Sequence, residues 1–459
     1  MKVILIEPPF HRFMGFYRYF FPPGLSALSA FLKKEGHEVL IYDADHGDKP
    51  EPNTSSGLLK IYPRYLEGIK DSRHPIWSEI KSTLANCRPD IIGITFMSTK
   101  IGAVRRIVEI AKSLFPEVPV VLGGVHPSVL YRSSLEQTKA DIAVVGEGEV
   151  TFSELLKELE NPNPDIQKIQ GIAFKSPDGK IVVTPPRPLI RDLDSLPFPD
   201  RESLLNLESY RPDDLSMIMT SRGCPYNCTF CSSIWERRVR TRSIPHLLNE
   251  IRYLQDRFQA QNIYFKDDTF TVDKKRVYTF CKELDVNNIK IQWECLTRIE
   301  LIEEELLKTM QRSGLFNLKI GIETGSPRLL KETNKNISIE QIKKGAALLK
   351  KLNMKWSAFF MIGYPDETEE EIALTRQFIE QIQPTYVSMS VLVPYPGCKY
   401  YYDLKKTGKI SEHTDWNLYD PFSLETHFSQ KIDQVKFREI AIDTMKYVDE
   451  YNSRHKNYV

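Results

Sequence analysis

The sequence predicts an α/β protein with two parallel-sheet units: a Rossmann-like domain at 1–150 and a partial (β/α)6 TIM-like barrel at 213–400. A connector at 151–212 joins them, and a mostly helical extension follows at 401–459. Three observations carry this reading. Short β-rich runs alternate with helical patterns over the first 150 residues, the signature of a doubly wound sheet. Proline-rich stretches then interrupt the alternation. From 216 it resumes with six β-rich runs, each ending at a polar or glycine-bearing motif.

In the first unit, Val3 to Ile6 reads as a strand, Leu25 to Lys34 as a helix and Glu38 to Tyr42 as a second strand. Asp90 to Phe96 is a strand, Ile101 to Leu114 a helix, and Val118 to Leu122 and Asp141 to Val145 are strands. The ligand crevice of such a sheet lies beyond the carboxyl ends of its strands. There the chain places Pro8-Pro9, Ser98-Thr99, Gly123-Gly124 and Gly146-Glu147-Gly148-Glu149.

The connector holds a helix at Phe152 to Glu160, an Asn-Pro-Asn-Pro break, and a hairpin turned at Ser176-Pro177-Asp178-Gly179. Pro185-Pro186 and Leu196-Pro197-Phe198-Pro199 cannot continue a helix and form an extended strap. The barrel strands are Ser216 to Thr220, Asn262 to Phe265, Ile289 to Glu294, Phe316 to Ile320, Trp356 to Met361 and Tyr386 to Leu392. Between the first two, helix 243–258 spaces Ile244, Leu247, Leu248, Ile251, Leu254 and Phe258 on one face.

Lys plus Arg total 62 against 61 Asp plus Glu, so no net field draws the chain onto nucleic acid or anionic lipid. The apolar run at the amino terminus closes at Pro8-Pro9, too short for a signal-peptide core or a membrane span. Seven cysteines, three of them in one loop, suit a reducing compartment, and the expected location is cytoplasmic.

The loop after the first barrel strand reads Ser-Arg-Gly-Cys-Pro-Tyr-Asn-Cys-Thr-Phe-Cys and offers Cys224, Cys228 and Cys231 with no fourth cysteine. A four-iron cluster normally takes four thiolates, so three leave one iron open to a small molecule. Buried small residues or a structural zinc site completed by a distant histidine are the alternatives. Cys-x3-Cys-x2-Cys with an aromatic, Phe230, before the last cysteine resembles the cluster loop of the radical S-adenosylmethionine (SAM) superfamily. The resemblance implies a 4Fe–4S cluster whose open iron chelates SAM. Reductive cleavage then yields methionine and a 5′-deoxyadenosyl radical, fed by a partner such as flavodoxin or ferredoxin. The cofactor does the difficult step, and the protein binds, orients and excludes side reactions.

Gly-Gly-Val-His-Pro-Ser at 123–128 and Val-Gly-Glu-Gly-Glu at 145–149 resemble loops of the cobalamin-binding domain that precedes this barrel in one large subfamily. The Asp-x-His-x-x-Gly motif of classical cobalamin domains is absent, since Asp45-His46-Gly47 lacks its spacing. Cobalamin is thus expected without that histidine ligand, against Ser98, Thr99, Gly123, Gly124, His126, Gly146 and Glu147. His126 is otherwise a loop-structuring residue.

The family resemblance also implies a SAM site at the carboxyl ends of the strands, where barrel enzymes place their chemistry. Asp267 and Asp268 would accept from the SAM ammonium, or cap a helix. Arg298 would grip its carboxylate, or form a surface ion pair. Glu323, helped by Ser326, would bond the ribose, and Ile362 and Gly363 would support adenine, with Tyr364 alongside or in the core. Cys295 is a redox group or a small buried residue, and Tyr395 a substrate contact or a loop anchor.

The resulting expectation is a cobalamin-dependent methyltransferase acting on an unactivated carbon of a small or lipid-like metabolite. A dehydratase, cyclase or epimerase without cobalamin is the alternative. An electron carrier without turnover is a third, disfavoured because a carrier has no use for a ribose-binding carboxylate.

Overall fold

The computed structural model describes residues 1–17, 20–47 and 54–455. Strands β1 (Lys2–Glu7), β2 (Glu38–Asp43), β3 (Ile91–Thr95), β4 (Val120–Gly123) and β5 (Ile142–Val144) pair in parallel in the order β2-β1-β3-β4-β5. Helices cover both faces, so successive strand residues enter opposite cores. Val3 and Leu5 pack with Leu25, Leu32 and Phe152, whereas Ile4 and Ile6 pack with Ile92, Ile94 and Val104. The strand order reverses between β1 and β3, which opens the crevice at their carboxyl ends.

The hairpin is present, but its strands β6 (Ile172–Lys175) and β7 (Ile181–Val183) add to this sheet antiparallel, beyond β5. Part of the expected connector therefore completes the first sheet. Its turn needs Gly179 at φ +81°, with the Gly179 N–H donating to the Ser176 carbonyl at 2.8 Å.

The second sheet begins with β8 (Met217–Ile218). The expected strand at 216–220 is cut to two residues because Thr220 and Ser221 turn to hydrogen-bond Asp267. A short antiparallel clip of β9 (Ser221–Arg222) and β10 (Arg240–Thr241) follows. Strands β11 (Asn262–Phe265), β12 (Gln292–Thr297), β13 (Leu315–Glu323), β14 (Trp356–Ile362) and β15 (Tyr386–Val391) complete a parallel partial barrel ordered β15-β14-β13-β12-β11-β8. Ile263, Phe265, Trp293, Cys295, Leu318 and Ile320 face the helix layer and share one core. Alternate residues point the other way, into the barrel.

Among the described residues, helix Lys399–Lys406 leads into the extension and helix Gln434–Arg454 follows after a largely irregular stretch. The second closes the barrel edge, where the Asn452 side chain accepts from the Val387 N–H and donates to its carbonyl, both at 2.8 Å. Asp449, on the same helix, accepts from the N–H groups of Ser55 and Ser56 and so ties the barrel to helix Ser55–Lys70 of the first unit. Among the described residues, no helix is long and apolar enough to cross a membrane.

Candidate active site

The β9–β10 clip closes the base of the loop that carries Cys224, Cys228 and Cys231. Gly223, at φ +100°, enters this loop where a Cβ would collide with the Arg238 carbonyl. Arg237 ties the loop from inside, donating to the carbonyls of Tyr226 at 2.7 Å and Cys231 at 2.9 Å. Phe230 packs behind it against Leu329, Tyr364 and Leu392. Cys228 is buried, while Cys224 and Cys231 are half-buried. Three thiols presented by one tied loop, with a cation beside Cys228, form a donor set that fits a negatively charged cluster. That cation is Arg298.

Arg298 Nη1 lies 3.6 Å from Cys228 Sγ, and the guanidinium stacks over the Tyr226 ring at 3.8 Å. Glu300 accepts from its Nε and the Lys335 carbonyl from its Nη2. Arg298 thus sits beside the cysteine loop, and the SAM carboxylate expected on it would have to meet the second N–H of Nη1 or Nη2. Glu323 ends β13 beside a bulge, at φ +75°, a conformation in which a non-glycine residue is strained. Its carboxylate accepts from Lys335 Nζ at 2.8 Å, and a side chain at Gly321 would collide with the pair. Glu323, Lys335, Arg298 and Cys228 thus form one continuous network. Lys335 was not visible from the sequence.

Asp267 is fully buried and accepts from Thr220 and Ser221, so it anchors the entry to the cysteine loop and cannot meet an ammonium. Asp268 is exposed; the protein around it and then the Asp267 charge raise its carboxyl above the ordinary range. Of the two, only Asp268 remains available to a ligand. Ser326 caps helix Pro327–Glu332 and donates to Glu371 at 2.5 Å, a structural role that replaces the expected ribose contact.

Ile362 is buried in the core, its carbonyl accepting from the Leu392 N–H at 2.8 Å. The Gly363 N–H donates to Glu367 at 2.5 Å, and a Cβ there would stand 2.9 Å from Phe437 of the carboxyl-terminal helix. These two groups therefore offer adenine neither that carbonyl nor that N–H. Tyr364 is buried with Leu329 and Leu392, and Cys295 is buried in the helix-side core, its thiol pushed up by burial. Tyr395 is half-buried, and its carbonyl accepts from the Cys398 N–H at 3.2 Å.

A cleft with about 1320 Å³ of empty space, its open mouth included, runs between the two units. Gly123, Gly124, Gly146 and Glu147 line it together with Leu25, Val121, Phe152, Met217 and Met219. A Cβ at Gly123, Gly146 or Gly148 would meet nothing within 4 Å, so these glycines form a cradle with room for a bulky group. Gly124 differs in that its Cβ would lie 2.7 Å from Thr95 Oγ1; Gly124 at φ +98° and Gly146 at φ +92° both also need glycine for their backbone. Glu147 pairs with Arg222 at 2.7 Å and Arg240 at 2.9 Å, which binds the cradle to the clip beneath the cysteines. Burial opposes it, yet these arginines hold the Glu147 carboxyl below the ordinary range.

Ser98, Thr99 and His126 do not line this cleft, a correction to their expected contact with cobalamin. His126 Nδ1 lies 2.8 Å from Ser98 Oγ, its ring near Phe96 and Trp416, and burial lowers its pKa to about 3. Thr99 accepts through its carbonyl from the Tyr65 hydroxyl at 2.6 Å. Among the described residues, no histidine lines the cleft.

Residues 16–156 match the B12 binding domain and residues 218–379 the radical SAM superfamily. An uncharacterised methyltransferase of Pyrococcus horikoshii is 31% identical over 94% of this chain and 89% of its own. The anaerobic magnesium-protoporphyrin IX monomethyl ester cyclase of Rubrivivax gelatinosus is 27% identical over 92% of this chain and 73% of its own. The solved structure of the radical S-adenosylmethionine methyltransferase TsrM from Kitasatospora setae, with cobalamin and a 4Fe–4S cluster bound, is similar at TM-score 0.68 and 18% identity, covering 88% of this chain and 75% of that one. At that identity the likeness is one of fold. The cofactors are a 4Fe–4S cluster, SAM and cobalamin. The chain belongs to the radical SAM superfamily and carries a B12-binding domain ahead of the radical SAM domain.

Proposed function

We propose that the protein transfers a methyl group from SAM, by way of cobalamin, to an unactivated carbon of a small or lipid-like metabolite. The observation that carries this reading is the shared cleft. Gly123, Gly146 and Gly148 line one wall, while Ile234 and Trp235, just beyond Cys231, line another. When bound, the cluster and SAM supply a radical that takes hydrogen from carbon, and cobalamin supplies the methyl group.

This chain's own residues then have distinct tasks. Phe230, Leu329, Tyr364 and Leu392 form an apolar backing that keeps water from the cysteine loop. Arg298 places positive charge on Cys228, and hydrogen bonds to cluster sulfurs raise its readiness to accept an electron. Glu323 offers a carboxylate at the barrel mouth, steadied by Lys335, for the ribose hydroxyls of SAM. Asp268 is the remaining acceptor for the SAM ammonium. The electron would come from a partner such as flavodoxin or ferredoxin.

Methyltransferase relatives support this reading. The Rubrivivax gelatinosus relative favours a second one, a radical cyclase. Reconstitution with iron, sulfide and hydroxocobalamin followed by gel filtration tests the first: about one cobalt per chain should stay bound. Formation of 5′-deoxyadenosine without retained cobalt would favour the second.

A further inference from the structure

The clip that closes the base of the cysteine loop sets two like charges against each other. Its strands are short: Ser221 pairs with Thr241 and Arg222 with Arg240, and one further bond runs from the Arg242 N–H to the Thr220 carbonyl at 2.9 Å. The whole of 223–239, cysteines included, is held between those pairs. A two-stranded pairing this short is marginal by itself. Here one of its two pairs places arginine directly opposite arginine, and like charges facing each other across strands are destabilising. The Arg222 and Arg240 side chains are only 16% and 11% exposed, so solvent and salt screen them little.

Neutralisation comes from the first unit. Glu147 Oε1 accepts from Arg222 at 2.7 Å and from Arg240 at 2.9 Å, and its Oε2 accepts from Arg240 at 3.0 Å. Glu149 accepts from the other end of the Arg222 guanidinium. The strap joins in: the Ile190 N–H donates to Glu147 at 2.7 Å, and Arg240 donates to the Ile190 carbonyl. Two largely buried carboxylates thus meet two arginines, and the charges balance only when 147–149 stands against the clip. The same stretch supplies Gly146 and Gly148 to the cradle, and Arg222, Glu147 and Glu149 all border the cleft. Loss of one acid leaves two opposed arginines facing a single carboxylate. Repulsion then replaces the tie, and the clip that opens is the one holding Cys224, Cys228 and Cys231.

We propose that Glu147 and Glu149 are positioning residues for the iron–sulfur cluster, acting through Arg222 and Arg240 to keep the cysteine loop in its cluster-holding shape. The B12-binding domain thereby governs how firmly the radical SAM domain holds iron. The proposal rests on the three cysteines being the cluster ligands, and the iron and sulfide content of loaded wild-type protein reports on that separately.

Two measurements on the full chain test it: hydrogen exchange of the amides at 221–241 without cluster, and release of iron to ethylenediaminetetraacetate from the loaded protein. Amides of β1 serve as the reference for global opening. Glu147→Gln keeps the side chain's size and removes its charge. It should speed clip exchange and iron release by about 10–100-fold, the range of one charge-assisted hydrogen bond. Glu149→Gln should act in the same direction through Arg222 alone, so the test stands even if Glu147→Gln does not fold. Glu147→Gln/Arg240→Gln, which again sets one acid against one arginine, should recover most of the loss. A tie that merely joins the two units would lower the unfolding midpoint and leave clip exchange and iron release at wild-type rates in native buffer. That result, or a double variant no better than Glu147→Gln, would overturn the proposal.

Discussion

Glu323→Ala should separate two roles of one carboxylate. Glu323 and Lys335 are 2.8 Å apart, with side chains 10% and 7% exposed, so truncating the acid leaves an ammonium buried without its partner. Breaking such a pair from one side costs about 3–5 kcal/mol. The double variant Glu323→Ala/Lys335→Met removes both charges and should recover most of that loss. SAM affinity should behave differently. Loss of a charge-assisted ribose contact costs roughly 1.5–3 kcal/mol, and pairing with Lys335 cannot restore it, so single and double variants should both bind weakly. Denaturant unfolding and equilibrium dialysis with SAM, on cluster-loaded protein, read the two effects. If the double variant is no more stable than Glu323→Ala, the pair is not coupled; if both bind SAM as wild type does, Glu323 is structural.

The cysteine loop gives a sharper contrast: Cys228→Ala should abolish the broad iron–sulfur absorbance and SAM cleavage. Cys281→Ala, buried in the helix layer beside Ser313, should keep both. Gly123→Val should fill the cradle and reduce cobalamin retention while sparing that absorbance. Gly124→Val should instead lower stability even without cofactor, because the residue sits at φ +98° against Thr95 and Phe96. Burial raises the Glu367 carboxyl to about 8, against the N–H groups of Gly363 and Tyr364. A raised folded pKa means that the native state keeps a proton the unfolded chain has released. Its stabilisation is therefore complete below the ordinary carboxylate range and is lost as pH rises through that value. Melting temperatures of Glu367→Gln across about pH 5–9 should show a flatter decline than wild type.

The alternation of strands and helices was legible because periodicity is local, and the cysteine motif because its chemistry needs neighbours on one loop. Partners distant in sequence were not. Asp267 reads as a free acceptor until Thr220 and Ser221 arrive from the turn after β8, and Ser326 reads as a ligand until Glu371 meets it from a later helix. Arg298 was placed at the mouth, but nothing local announces Cys228 and Tyr226 beside it. The Ser176–Gly179 turn was visible, but its docking on β5 depends on a tertiary edge. Lys266 lies just after β11, Glu294 is the one charge on β12, and Lys319 shares β13 with Glu323. Only the barrel brings the first three together.

The most direct test is mass analysis of products after turnover with SAM carrying a deuterated methyl group, using wild-type protein loaded with cluster and cobalamin and fed candidate small or lipid-like acceptors. Cobalamin-dependent methyl transfer predicts a product carrying the intact labelled methyl group, formed together with 5′-deoxyadenosine and dependent on added cobalamin. Substrate conversion with 5′-deoxyadenosine but with no label in the product, and no dependence on cobalamin, would contradict it.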